Sequence, residues 1–187
     1  MRQLSALLTS ILLTSLAHAQ KTSEPIRVCV STLQNNSHTA LDMTWQRNQL
    51  IKAFERNNKG KDVTKGKAPR IETVPLESNS ETDPAVRENN CQFILHANVV
   101  EIIEAGTYDT SNSRPHSIVI GSTPNDSHAN SNDNRATVSY RIMRAGELEV
   151  WASGELTTHD PLPDAMLISH LMDQTANRVV SELREPR

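Results

Sequence analysis

The residues able to do chemistry in this chain are few and scattered. Cys29 and Cys91 are its two cysteines. Neither belongs to a Cys-x-x-Cys pair or a Cys/His ligand spacing, so thiol redox catalysis and zinc binding are not expected. In an oxidising compartment the pair forms a disulfide. Closing a loop of about 60 residues then stabilises the fold by roughly 4 kcal/mol in the chain-entropy model. The alternative is two buried thiols acting as small hydrophobes.

His96 interrupts an apolar run, CQFILHANVVEIIE, and is the one polar residue there suited to acid–base work. A general base needs a partner at hydrogen-bond distance. No second histidine or carboxylate stands at ligand spacing, and the expectation is a satisfied core or strand-end histidine. The chain also lacks Gly-x-Ser-x-Gly, His-Glu-x-x-His and a phosphate-cradling glycine loop. No catalytic residue, metal or cofactor is therefore assigned.

Three features could serve binding, the first being the sheet edge near residues 71–78, which could accept an added strand. The stretch NNKGKDVTKGKAPR carries Lys59, Lys61, Lys65, Lys67 and Arg70 against one acid, Asp62. Such a run suits an anionic surface, although its simplest role is a solvated connection. Trp151 stands among Glu147, Glu149 and Glu155, either as an anchor for a helix or as a contact for a partner. These five basic residues and Trp151 are the candidate partner surface.

The elements that must position these residues follow from periodicity. IRVCVSTL, residues 26–33, alternates apolar and polar side chains and is β-branched, as a strand requires. A helix follows over 40–57, capped by Ser37 or Thr39, with Met43, Leu50 and Phe54 on its apolar stripe and Gln46 on its polar face. Residues 71–78 form a strand, and Pro75 confines it to a sheet edge. Thr82 or Asp83 caps a short helix with Pro84 in its first turn. The run 91–104 is apolar on both alternating sets, which places it centrally in a parallel arrangement with 26–33. A hairpin spans 136–157 about Ala145 and Gly146, and an amphipathic helix spans 164–183.

This order predicts one α/β domain, of two or three layers, over residues 20–187. Its mixed sheet has parallel strands at 26–33, 71–78 and 91–104 and an antiparallel hairpin. Between them, residues 105–135 are dominated by Ser, Asn, Asp, Thr, Gly and Pro. That composition predicts a polar, disordered insertion, in which one apolar island, SIVIG at residues 117–121, could add a short strand.

The amino terminus has the three parts of a cleaved secretory signal: Arg2, an uncharged apolar stretch from Leu4 to Leu16, and Ala17-His18-Ala19. The stretch is shorter than the roughly 20 apolar residues of a spanning helix. A soluble product in the periplasm or medium is expected, with no membrane span after cleavage. Losing Arg2 with the leader takes the net charge from −3 to −4. Acidity and scarce aromatics together argue against nucleic-acid binding.

The element order, with IRVCVSTLQN, CQFILHANVVEI and YRIMRAGELEVWASGEL in the matching strands, resembles small α/β domains of bacterial envelope assembly proteins. These are the TolB amino-terminal domain and the related domains of the curli secretion protein CsgG and the penicillin-binding-protein activator LpoB. The resemblance implies a non-catalytic interaction or assembly domain whose partner is a protein or envelope component. The chain departs from it at Asn98 or a nearby residue, where those strands carry glycine, and in lacking a lipobox cysteine. Residues 105–135 also lack the alternation of pore-forming hairpins, so a secretion pore is not expected. The rival expectation is a small hydrolase or ligand-binding enzyme with its site at the carboxyl ends of the parallel strands, near Gln34 to His38 and Asn98.

Overall fold

A computed structural model of the chain describes residues 24–104, 134–147 and 149–185. The expected signal peptide, nearly all of the polar insertion and Leu148 lie outside the described residues. Strand β1 (Ile26–Val30) and the short β2 (Gln34–Asn35) precede helix α1 (Met43–Asn57) and the single turn α2 (Lys61–Thr64). There follow β3 (Ile71–Pro75), α3 (Pro84–Glu88), β4 (Phe93–Ile103), β5 (Asn134–Arg144), β6 (Val150–Asp160) and α4 (Asp164–Arg184). The expected fold class holds, with shorter parallel strands and a longer hairpin. Asn134 and Arg135, assigned to the insertion by composition, open β5 instead.

The strands form one sheet in the order β3-β1-β4-β5-β6, with β2 also paired to β4. β1 runs parallel to β3 and β4, whereas β4, β5 and β6 are mutually antiparallel. Along β4, β1 and β2 act as one interrupted strand. Val30 stands opposite Leu95 and Gln34 opposite Asn98, four steps on one side against three on the other. The residue gained there falls after Ser31, whose N–H still donates to Leu95 O at 3.0 Å.

The inner face of the sheet carries Val28, Val30, Leu95, Val99, Val138 and Ile142, all fully buried under α1 and α4. α1 begins later than expected because the cap is Asp42, whose Oδ1 accepts from the Trp45 N–H at 2.9 Å. Ser37 is unavailable, since its hydroxyl and N–H both donate to Asn35 Oδ1 in a local turn. Gln46, expected on the polar face, is buried and donates to Ala165 O at 3.1 Å. The start of α4 covers it. Arg47 is also buried and donates to Leu76 O at 2.6 Å, tying α1 to the end of β3.

The outer face divides in two. One half is apolar: Cys29, Leu76, Val86, Cys91 and Ile94 pack together beneath α3, which Asp83 caps through the Ala85 N–H at 2.9 Å. Cys29 and Cys91 are disulfide-bonded there, with Cα atoms 5.7 Å apart. The other half is polar and open, and it forms the site described next.

Two bulges re-aim side chains. Register slips at Val100, which is left exposed, so that Ile102 reaches the inner core rather than the outer face. A second slip falls at Trp151, between the pairs Ile142–Ala152 and Met143–Val150.

Candidate functional site

Beyond the disulfide on the outer face lies a cavity of about 320 Å3 at the carboxyl end of β1. Its floor is β4, which contributes His96 and Asn98, and β5, which contributes Ser139 and Arg141. The interrupted strand supplies Ser31, Thr32 and Gln34, and the segment before α3 supplies Asn79. Strand alternation explains the set: these positions of β4 and β5 share the outward face.

Ser31 is buried, and its Oγ lies 3.2 Å from Leu95 O and 3.1 Å from His96 Nδ1. A hydroxyl has one proton, and a carbonyl oxygen can only accept. Both contacts are hydrogen bonds only if Ser31 donates to Leu95 O and His96 Nδ1–H donates to Ser31. The Nε2 atom is then a lone-pair acceptor. It is buried and has no hydrogen-bond partner among the described residues, and the same holds for Asn98 Oδ1. An unpaired buried acceptor costs about 1–3 kcal/mol.

The electrostatics favour the neutral ring. Burial is the main cause holding the His96 pKa below its ordinary value, and Arg141 adds to the effect while Glu81 opposes it. Arg141 stands opposite His96 in the ladder and pairs with Glu81 at 3.2 Å. The Glu81 carboxylate is thus committed to Arg141. No carboxylate hydrogen-bonds His96 among the described residues, and the Ser31 hydroxyl is spent on a backbone carbonyl. The Ser31–His96 pair therefore lacks the geometry of an activated nucleophile. His38, expected near such a site, is exposed and does not line the cavity.

The sequence-selected binding residues are dispersed. Lys59, Lys61, Lys65, Lys67 and Arg70 are all exposed along the connection from α1 to β3. Trp151 is not an exposed contact among glutamates. The bulge turns it inward, where its ring meets Phe93 edge-on at 5.5 Å and lies under the Arg144 guanidinium at 4.6 Å. Ser31, Asn79, Ser139 and Arg141 were missed by motif reading. The available signal was the pair His96 and Asn98, polar at alternate positions of an otherwise apolar strand.

The two sheet edges differ. On β3 the side chain of Asn58 takes both peptide groups of Ile71, accepting from its N–H at 2.9 Å and donating to its C=O at 2.6 Å. Pro75 has no N–H to offer. On β6 an eleven-residue strand has no neighbour beyond β5 among the described residues. No helix among these residues is long and apolar enough to cross a membrane.

No family model and no curated protein matches the chain. Its fold does occur among solved structures. A hypothetical protein from Chlamydia trachomatis is 9% identical, with 85% of this chain and 98% of that chain covered at a TM-score of 0.53. A PelC dodecamer from Paraburkholderia phytofirmans is 13% identical over 87% of this chain and 90% of that chain, with a TM-score of 0.49. The LpoB C-terminal domain from Salmonella enterica is 11% identical over 71% of this chain and 82% of that chain, with a TM-score of 0.31. At these identities the likeness concerns the fold alone.

Proposed function

We propose that this chain is an exported, non-catalytic assembly domain of the cell envelope, which engages a protein partner by accepting an extended segment at the β6 edge. The observation that carries this reading is the contrast between the edges. Asn58 and Pro75 blunt β3, whereas β6 has no strand paired on its far side among the described residues. Exposed strand edges pair with other chains unless they are covered.

Charge narrows the partner. Glu149 and Glu155 are exposed at β6, so a segment with basic residues opposite them is favoured. The leader-like amino terminus and the disulfide support an oxidising, extracytoplasmic setting. The basic stretch Lys59 to Arg70 is a second, weaker surface, open to an anionic envelope component.

The test places photo-reactive crosslinkers at Ser153 and Thr157 of the full chain in its native cells, with Thr73 on β3 as the control. A discrete adduct in the envelope fraction from the β6 positions alone is the expected result. Equal adducts from β3, or none from β6, would remove the edge as the binding surface. Recovery of the chain in the cytoplasm with free thiols would remove the export reading.

A further inference from the structure

The polar cavity has a donor and acceptor pattern that specifies a ligand class. His96 Nε2 and Asn98 Oδ1 are buried acceptors without partners among the described residues. They belong to alternate positions of β4 and hence to one face, roughly 7 Å apart along the strand. Facing them are donors. Asn79 Oδ1 already accepts from Thr32 Oγ1 at 2.6 Å, which leaves the Asn79 amide N–H groups to donate. Arg141 spends Nη2 on Glu81, and its guanidinium carries further N–H groups.

The charge of Arg141 is matched by Glu81, which pairs with it from outside the cavity lining. An ammonium ligand would meet Arg141 with no uncommitted carboxylate to receive it. An anion would meet two lone pairs. A hydroxyl both donates and accepts, and adjacent hydroxyls do so at neighbouring points. The volume, about 320 Å3, lies at the small end of the roughly 300–1,000 Å3 range of ligand sites.

We propose that this cavity binds an uncharged polyhydroxylated ring of monosaccharide size, with ring hydroxyls donating to His96 Nε2 and Asn98 Oδ1 and accepting from Asn79 and Arg141. The site is separate from the β6 edge, and either can fail without the other. It requires no step of bond chemistry, in keeping with the committed Ser31 hydroxyl and Glu81 carboxylate.

The experiment titrates the full exported chain, disulfide intact, with D-glucose, D-galactose and N-acetyl-D-glucosamine, and follows the His96 imidazole by NMR. At least one neutral sugar should give a saturable shift. Asn98→Ala should weaken that binding about tenfold, the loss expected for one hydrogen bond to a buried acceptor. Asn79→Ala, in an exposed loop, gives the same readout should Asn98→Ala fail to fold. Glucosamine and glucuronate, the cationic and anionic counterparts, should bind more weakly than the neutral sugars. The proposal is overturned if no neutral sugar saturates, if a charged one binds as well, or if folded variants bind like the parent.

Discussion

Gly154 of β6 lies directly opposite Tyr140 of β5, and the tyrosine ring occupies the space that a side chain at position 154 would need. A Cβ built on Gly154 would stand 2.7 Å from the Tyr140 hydroxyl oxygen and 2.8 Å from its ring carbons. The missing side chain lets the ring lie flat across the sheet toward α4.

Gly154→Ala should therefore destabilise the fold by about 1–3 kcal/mol, the usual cost of overpacking. Urea unfolding measures it. In a Tyr140→Leu background the same substitution should cost less, and a double-mutant cycle isolates the coupling. Equal cost in both backgrounds would show that Tyr140 is not the obstacle.

The ring ends on a buried polar group. The Tyr140 hydroxyl donates to Glu182 Oε1 at 2.8 Å, and Arg178 Nε donates to the same oxygen at 2.9 Å. Burial first, and the Glu182 hydrogen bond second, push the Tyr140 phenol up. Tyr140→Phe should cost about 1–3 kcal/mol, because a buried carboxylate loses a donor. Arg178→Ala should cost less, since that side chain is 62% exposed and its pairing is screened by solvent. Comparing the two variants by thermal unfolding checks the order.

His96 gives stability a defined pH dependence. Its folded pKa lies below the ordinary 6.5 because of burial, then Arg141. As pH falls past the ordinary value, the unfolded chain takes up a proton that the folded chain still refuses. Stability from this group is therefore complete above about pH 6.5, declines as pH drops toward the folded pKa, and is level below it. The decline should vanish from His96→Gln, as read by unfolding free energies across that range. A decline of equal slope in the variant would assign it to other groups.

The disulfide should matter more than any single core contact. Cys29 and Cys91 are 62 residues apart, and closing that loop contributes about 4 kcal/mol in the chain-entropy model. The double variant Cys29→Ala, Cys91→Ala should lose about that much in urea unfolding. The outer-face cluster of Leu76, Val86 and Ile94 should open first, seen as faster amide exchange in α3 than in β4.

Local pattern determined the elements and their order. The alternation in 26–30, the two-sided apolar run in 93–103, Pro75 at an edge and the stripe of α4 are properties of short segments, legible without a partner. Gly146 shows the same at the hairpin, with φ of 82° in the turn that joins β5 to β6. What only the tertiary structure decided is register and cover. Gln46 is polar by composition, yet α4 lies over it. Trp151 belongs by alternation with the glutamates, yet a bulge turns it inward beneath Arg144. The β1–β4 register sets Ser31 against His96, and the one-residue mismatch that follows it places Gln34 opposite Asn98 beside the cavity. A slip of one residue changes the face of every side chain after it, and its position depends on the neighbouring strand. That neighbour is distant in sequence, so no local pattern carries the information.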